Sequence, residues 1–481
     1  DGTNLVHILG AGDMLPYWGA DGFVELVDAS NQTVDFVRWG ADTTAPQTSS
    51  KWVSGAAPAL PDAYGSSLAR PFALDDTDTG ADWALRSFPT PGGPNDVSSD
   101  TDADVDGIPD VCEQSGATYM GLPVYDWGAR VSQKDVFIHI DYMNSVDLGV
   151  NPRKDSLDNV VQVFAAHGYT LHPDVGTLFG SGVANHNLDN LSHQIAFSQY
   201  LYLGVEAGAA NLYEIKATRL PLPKRHLFYY CIFASKQNSG STGLGEVDGN
   251  DFLVSLGNQG FSTATQEDTN FLVHIMAATF MHELGHNLGL YHGGDDPNNN
   301  YKPNYLSIMN YLYSNLGVPQ VGNPREGDRY YHNQWANDGF AATSAFYQYF
   351  SVSGSMQIHN SPWTASFTMD YSYGSGTTLT ESNLTESEGL KYPITAGVDW
   401  NGNGNVTDSA FSKDVNLNGS SIESYNDYND WGNLNFIFQQ KYQGISNAPG
   451  GKIKRPYSFT NSDAQEIADE PPVTLPHRLM K

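Results

Sequence analysis

Cysteine, basic residues and long hydrophobic runs are all scarce in this 481-residue chain. Only two cysteines occur, Cys112 and Cys231, so at most one intrachain disulfide can form and a disulfide-framework fold is excluded. Lysine and arginine number 24 against 54 acidic residues, which gives a formal charge of −30. A surface this acidic repels nucleic acid and anionic membranes, so a nucleic-acid-binding function is excluded. The stretch nearest to a membrane span, FLVHIMAATFM at 271–281, is too short and contains a histidine.

The first 95 residues alternate short apolar runs with turn residues and show no helical period. This pattern predicts a small β-sandwich over 1–95 that ends in a Pro/Gly cluster. The motifs VELVD, TVDFVRWG, SLAR, DTDTGADW and TPGGPN resemble the lamin-tail family of Ig-like modules. The resemblance implies an accessory binding or spacer domain, and we find no catalytic pattern within it.

A full calcium-loop pattern, D-x-D-x-D-G-x-x-D-x-x-E, follows within 96–120. Alternating carboxylates suit Ca²⁺ because about seven oxygen ligands must converge from one short loop, and a glycine permits the sharp bend. The flanks lack two amphipathic helices, so we predict a linker-type calcium repeat rather than an EF-hand. The alternative is an acidic, disordered linker. The residues of the pattern are Asp102, Asp104, Asp106, Gly107, Asp110 and Glu113.

From residue 134 the pattern changes to alternating strands and helices, which predicts an α+β sheet domain. KDVFIHIDYM (134–143), HLFYYCIFA (226–234) and NDFLVSLG (250–257) are strand-like, and 155–168 has helical spacing. Four histidines of this region have no companion at metal-ligand spacing, and no role is assigned to them from the sequence; they are His139, His172, His186 and His193.

A helix with metal-ligand spacing is predicted over 268–287. Its apolar residues recur at helical intervals, and Thr265 with Asp268 offers a capping-box start. His282 and His286 are four residues apart, so both imidazoles project from one face and can share one metal ion. The five residues HELGH alone also arise by chance in helices with incidental histidines.

The residues after this pair extend the pattern to HELGHNLGLYH at 282–292. Gly289 can adopt a left-handed conformation and end the helix, which lets His292 return as a third ligand. Glu283 lies beside the first histidine without being a ligand. Three protein ligands with an open fourth position are typical of catalytic rather than structural zinc.

The extended pattern, with Met309 following in LSIMNY, resembles the metzincin zinc metalloproteases. The resemblance implies a sheet-bearing upper subdomain to about 292 and an enlarged lower subdomain after it. It also implies that Met309 forms the hydrophobic base of the metal site. Tyr311 matches a tyrosine that reaches the metal in astacin-like and serralysin-like members, with ordinary packing as its alternative. HELGHNLG also resembles the reprolysin branch and GLYH the pappalysins, so the subfamily stays open.

Two further loops carry the pattern D-x-N-x-N-G at 399–404 and 414–419. Both lack an acidic residue at the twelfth position, so calcium sites and polar turns stay as alternatives for each. The candidate ligands are Asp399, Asn401, Asn403, Asp414, Asn416 and Asn418.

These patterns together predict a multidomain, secreted, extracellular bacterial zinc endopeptidase. Its domains are an Ig-like sandwich (1–95), a calcium linker (96–120), an α+β metzincin-like catalytic domain (121–445) and a tail (446–481). The expected cofactors are Zn²⁺ and structural Ca²⁺, and the expected partner is a protein or peptide substrate, with no nucleic acid and no transmembrane segment. In the implied mechanism Glu283 transfers a proton from water to the leaving amine, Tyr311 donates to the oxyanion, and strand 250–257 binds substrate at the sheet edge.

Two alternatives remain. One is a calcium-dependent surface or adhesion protein whose metzincin fold is inactive, and the intact Glu283 argues against it because inactive relatives commonly lose the base. The other is a zinc hydrolase that acts on non-peptide amides.

Overall fold

The structure of the protein is a computed structural model, and its chain forms two compact units. Unit 1 comprises Asp1–Val136, Ala217–Phe228 and Phe436–Thr460, and unit 2 comprises Phe137–Lys216, Tyr229–Asn435 and Asn461–Lys481. The residues that the structure describes are 19–60, 67–71, 75–203, 210–237, 241–296, 299–314, 317–319, 367–391, 397–398, 400–401, 403, 405–416, 418–436 and 467–469. The domain boundaries predicted from the sequence remain predictions.

The described N-terminal part of unit 1 contains two antiparallel hairpins. Strand β1 (Gly22–Val27) pairs with β2 (Thr33–Trp39), and β3 (Ser67–Ala69) pairs with β4 (Ala84–Arg86). Phe36 of β2 packs edge-on against Trp52 at a ring separation of 5.5 Å, and both side chains are buried. The hairpins agree with the period-two pattern, while the Ig-like sandwich itself stays a prediction. A short helix α1 (Val124–Trp127) closes this part of the unit.

A mixed seven-stranded sheet forms the core around which unit 2 is built. In order across the sheet its strands are β17 (Ile467–Asp469), β9 (Gly243–Glu246), β10 (Asp251–Val254), β8 (Phe228–Phe233), β5 (Lys134–Met143) and β6 (Tyr169–Asp174), and β7 (Gln194–Ile195) also pairs with β5. Every residue of β8 is buried, as expected for an interior strand with a continuous apolar sequence.

One strand prediction is wrong. Residues 250–257 were expected at the sheet edge, but β10 pairs in parallel with β8 on one side and antiparallel with β9 on the other. Its four residues are fully buried because both neighbours cover it. The strand beyond it is β9, which pairs antiparallel with β17.

Helices of unit 2 pack on this sheet and on each other. Helix α2 (Lys154–Ala166) contacts β6 and the long helix α5 (Gln266–Asn287), and α5 contacts β9 and β10. Helix α5 begins at the predicted cap: the Thr265 hydroxyl accepts from the amide of Asp268 at 3.0 Å. Every side chain from 270 to 288 is buried, so polar residues on this helix must find partners in the interior. Two shorter helices precede α5 in the chain: α3 (Leu212–Arg219) extends past the end of a unit 2 segment at Lys216, and α4 (Leu222–Arg225) belongs to unit 1.

The part of unit 2 after His292 has short strands held together by buried carboxylates. The amides of Val415 and Glu423 donate to Glu381, and those of Asn401 and Asp408 donate to Glu386. Among the described residues, no helix is both long and apolar enough to span a membrane. The strands pair as β11 (Val318–Pro319) with β12 (Phe367–Thr368), β13 (Leu379–Thr380) with β16 (Ser424–Tyr425), and β14 (Leu384–Thr385) with β15 (Ser409–Phe411).

Candidate metal centre

Three imidazoles converge at the C-terminal end of α5. The Nε2 atom of His286 lies 3.2 Å from Nε2 of His282 and 3.0 Å from Nε2 of His292. His282 and His286 are buried, while His292 is half-buried and faces more open space. Ligand atoms of one tetrahedral zinc ion lie about 3.3 Å apart, so the three nitrogens have the spacing of a shared ion.

The opposite ring nitrogens show which atoms are available as ligands. His282 Nδ1 lies 2.6 Å from the carbonyl oxygen of Ile308, and His286 Nδ1 lies 2.8 Å from that of Leu290. A ring nitrogen facing a carbonyl oxygen must donate, which leaves the lone pair on Nε2 in each histidine. Two lone pairs facing each other at 3.2 Å repel unless a cation lies between them. The donor set therefore fits zinc.

Gly289 produces the chain reversal that brings His292 to the site. Its φ of +87° lies in the left-handed region, and the amide of Leu290 bonds back to the carbonyl of Gly285 at 2.9 Å. This is the geometry of a glycine-terminated helix, in which residues with a side chain are strained. A Cβ atom at this position would also overlap the carboxylate of Asp248.

Met309 lies directly against helix α5. Its side chain is fully buried, and a Cβ atom built on Gly285 would overlap its sulfur. The glycine inside HELGH thus leaves the space that the methionine fills. The carbonyl of Ile308, one residue earlier, orients His282, so the same turn supports the helix and one of its ligands.

Tyr311 lies beside the third ligand. Its ring centroid is 4.1 Å from that of His292 and 6.3 Å from that of His282. The backbone amide of Tyr311 donates a hydrogen bond to the side-chain oxygen of Asn300 at 3.2 Å. The tyrosine ring therefore lies against one of the three histidines, and its catalytic role stays a prediction.

Glu283 is fully buried against strand β9. A Cβ atom on Gly243 would overlap its carboxylate, and one on Gly245 would lie 3.2 Å from its Oε2. Two glycines on one strand face thus leave the space that this carboxylate occupies. Helix α5 carries Glu283 together with His282 and His286, while His292 follows the end of the helix.

Tyr371 is a residue of this centre that sequence reasoning missed. Its hydroxyl donates to the carbonyl of Met281 on α5, and its ring is fully buried. Burial, with Asp430, Asp370 and Glu283 adding to it, raises the pKa of Tyr371 well above its usual value. It stays a neutral donor that supports the helix one residue before the first ligand. No spacing in the sequence indicates this contact, which joins residues far apart in the chain.

The acidic loop at 102–113 forms a second cluster, in unit 1. Ligand atoms of Asp102, Asp104 and Asp106 lie within 4.8 Å of one another, and Asp106 and Glu113 form a like group with Asp135. Asp135 lies outside the twelve-residue pattern, so the sequence did not indicate it. Asp110 is used differently: its carboxylate accepts from the amide of Ala103 at 2.8 Å.

Several carboxylate oxygens of this loop face one another inside the protein. Among the described residues, both oxygens of Glu113 and Oδ1 of Asp104 are buried without a hydrogen-bond partner. Burial, with Asp104 and Glu113 adding to it, raises the pKa of Asp106 to about 9. Burial, with Asp104 and Asp135 adding to it, raises the pKa of Glu113 to about 8. Ionised oxygens in this arrangement need a cation to offset their repulsion.

The side chains of the two asparagine-rich loops, 399–404 and 414–419, make different contacts from those of the acidic loop. Asp399 lies outside the described residues. Asn401 and Asn403 donate side-chain protons to Asp408 at 2.9 and 2.5 Å, and Asp414 accepts from the amide of Gly419 at 2.7 Å. The remaining candidates make local contacts too: Asn416 Oδ1 accepts from the amide of Asn418 at 3.3 Å, and Asn418 donates to Glu423. These contacts fit the polar-turn alternative, and calcium binding there stays a prediction.

The two cysteines are free and buried in the structure. Burial, with Asp96 and Glu113 adding to it, raises the pKa of Cys112, and burial, with Glu283 and Asp141, raises that of Cys231. Both thiols are therefore poor nucleophiles, in keeping with small hydrophobic roles.

Comparison with known proteins bears on the stretch that carries the metal centre. A family model described as metallo-peptidase family M12B reprolysin-like matches residues 223–293, which include β8, β9, β10, α5 and the three histidines. No curated protein and no solved structure matches the chain significantly. Over the matched stretch the chain is similar to reprolysin-like metallopeptidases, and this similarity supports a zinc metalloprotease.

Proposed function

We propose that the protein is a zinc-dependent endopeptidase of the metzincin type that acts on proteins or peptides outside the cell. The observation that carries the proposal is the convergence of three imidazole Nε2 atoms at the end of α5, a helix that also carries the buried Glu283. His282, His286 and His292 would hold the ion, with a fourth position open. Zinc bound there would acidify water and polarise a scissile carbonyl.

The chain's own residues account for the remaining steps. Glu283 takes a proton from the attacking water and delivers it to the leaving amine, because a carboxylate can serve first as base and then as acid. Its burial against β9 keeps bulk water away, which strengthens its electrostatic interactions with the reacting groups. Tyr311, stacked beside His292, is the candidate donor to the developing oxyanion.

Strand β9 replaces β10 as the candidate substrate-binding strand. It lies over Glu283 and already pairs antiparallel with the short extended segment β17. An extended peptide can add to such a strand through main-chain hydrogen bonds, with side-chain pockets supplying specificity. Because β10 and β17 occupy the two edges of β9, we propose that substrate takes the place of β17 and pairs with β9 in the same antiparallel sense.

A peptide-library assay with mass-spectrometric detection tests the activity. Wild type with zinc and calcium should cleave internal peptide bonds, and a chelator should abolish cleavage. Glu283→Gln should lose about a hundred- to ten-thousand-fold of activity, since it keeps the shape but not the proton transfer. Glu388→Gln is the matched control, because that glutamate is half exposed and lies outside the site.

Three outcomes would contradict the proposal. Cleavage that persists in Glu283→Gln would remove the glutamate from the mechanism. No cleavage by zinc-loaded wild type would favour the inactive adhesion protein. Hydrolysis of small amides without peptide cleavage would favour the non-peptide hydrolase.

We further propose that the loop 102–113 binds a structural calcium ion with Asp135 as an additional ligand. The support is the pair of buried Glu113 oxygens without partners among the described residues, together with the neighbouring carboxylates. Carboxylates from two segments that share one ion would fix the loop to the first residues of β5.

A further inference from the structure

A second group of metal-ligand side chains lies in unit 2, apart from the three histidines. It consists of His139, Asp174, Asp189 and His193, whose ligand atoms all lie within 4.8 Å of one another. His139, Asp174 and His193 are more than nine-tenths buried, and Asp189 is half-buried. The sequence separates these residues by up to 54 positions, so no motif indicates them.

Sheet pairing brings the four residues together. His139 lies in β5, and Asp174 is the last residue of the neighbouring strand β6. His193 directly precedes β7, which pairs in parallel with the end of β5, and Asp189 lies in the connecting loop. Gly176 allows this loop to pack closely, because a Cβ atom there would lie 2.7 Å from the His193 ring.

Each histidine has one ring nitrogen fixed by the scaffold and the other facing the group. His193 Nδ1 lies 3.1 Å from the carbonyl oxygens of Ile140 and Asp174, so Nδ1 donates, and in the neutral ring Nε2 carries the lone pair. His139 Nε2 lies 3.3 Å from Asp141, which is itself fixed by the Tyr230 hydroxyl at 2.7 Å. Carbonyl–histidine and carboxylate–histidine pairs of this kind orient metal ligands in proteins.

The two carboxylates are arranged in the same way. Asp174 Oδ1 accepts from the amides of Gly176 and Leu188 at 3.1 Å, while its Oδ2 lies 3.9 Å from His139 Nδ1 and 3.8 Å from His193 Nε2. Asp189 Oδ1 accepts from the amide of Leu191 at 2.8 Å, and its Oδ2 lies 3.2 Å from His193 Nε2. Two carboxylate oxygens and two imidazole nitrogens thus lie within 4.8 Å of one another, and the two imidazole rings lie with their centroids 3.9 Å apart.

We propose that His139 Nδ1, His193 Nε2, Asp174 Oδ2 and Asp189 Oδ2 bind a second zinc ion. Two imidazoles and two carboxylates form a ligand set that zinc accepts. The separations of Asp174 from both histidines and of Asp189 from His193, 3.2 to 3.9 Å, are near the roughly 3.3 Å edge of a zinc tetrahedron. The ion's two positive charges balance the two carboxylates in a buried place.

Four protein ligands leave no open position, so this zinc is structural rather than catalytic. It links β5, the end of β6 and the loop that leads into β7. The proposal does not depend on the peptidase activity, because it involves none of the residues of the catalytic centre.

Zinc content per chain, measured by elemental mass spectrometry, tests the proposal. The protein is loaded with zinc in excess calcium, so that the acidic loop is saturated, and weakly bound metal is removed by desalting. Wild type should hold two zinc ions. The double variant His282→Ala/His286→Ala should hold one, and His193→Gln should also hold one while it keeps the catalytic ion.

His186→Gln is the matched control for the loss of a buried histidine. His186 lies 2.8 Å from the carboxylate of Asp158 in the same unit and belongs to none of the groups of metal-ligand atoms found among the described residues, so its variant should hold two zinc ions. Circular dichroism confirms that each variant is folded. If His193→Gln does not fold, the content of His282→Ala/His286→Ala still decides.

The proposal is overturned if wild type holds one zinc ion that is lost in His282→Ala/His286→Ala. It is also overturned if folded His193→Gln keeps the full wild-type content, which would make the group an ion-pair network only. If wild type holds one zinc ion and His282→Ala/His286→Ala keeps it, the second zinc site is supported and zinc binding by the three histidines is contradicted.

Discussion

At the scale of single residues, glycines decide where the catalytic side chains can lie. Gly285 makes room for the Met309 sulfur, Gly289 reverses the chain, and Gly243 makes room for the Glu283 carboxylate. Gly285 and Gly289 belong to the HELGHNLG pattern, so the sequence indicates that they lie at the candidate site. Gly243 is not, since it comes from a strand about forty residues earlier in the chain.

Gly243→Ala should lower peptidase activity without removing zinc. The added methyl group would overlap the Glu283 carboxylate and displace it, while the three ligands on α5 and after Gly289 keep their contacts. We expect a fall of about tenfold or more in kcat/KM, measured with a fluorogenic peptide, at unchanged zinc content. Gly19→Ala is the control, because its new Cβ atom would meet only ordinary contacts of 3.5 Å. Full activity in Gly243→Ala would mean that the position of Glu283 is not critical.

At the scale of elements, local patterns were predictive where neighbouring residues form the structure themselves. The capping box at Thr265 marks the start of α5, and 134–143 coincides with strand β5. Strand 250–257 was misplaced at the edge because sheet order depends on pairing between distant segments. For the same physical reason Asp135 escaped notice, although it lies with the carboxylates of the acidic loop.

Calcium binding by the acidic loop should depend on both segments. Glu113→Gln and Asp135→Asn should each weaken calcium binding by about tenfold or more, because each removes a charged oxygen from a buried group. Calorimetric titration of chelator-treated protein measures the affinity. Asp100→Asn is the matched control, since Asp100 lies in the same acidic stretch and accepts from the amide of Ser87. Unchanged affinity in Asp135→Asn would restrict the site to the loop, and absence of any calcium binding by wild type would end the proposal.

At the scale of the whole molecule, the sequence indicates the chemistry better than the architecture. Eleven consecutive residues carry the three histidines and the glutamate that we propose as zinc ligands and acid, so their spacing, together with Met309, indicates the candidate centre. The group around His139 could not, because its members come together only when β6 and β7 pair along β5. The similarity to reprolysin-like metallopeptidases covers the former and leaves the latter outside its limits.

The central claim is that His282, His286 and His292 hold a zinc ion with one position open for chemistry. Anomalous diffraction at the zinc edge, from crystals of the zinc-loaded protein, tests it most directly. The account predicts a peak about 2.0 to 2.1 Å from each of the three Nε2 atoms, with no fourth protein ligand. A fourth side chain closing the tetrahedron, or no peak between these histidines at saturating zinc, would contradict it.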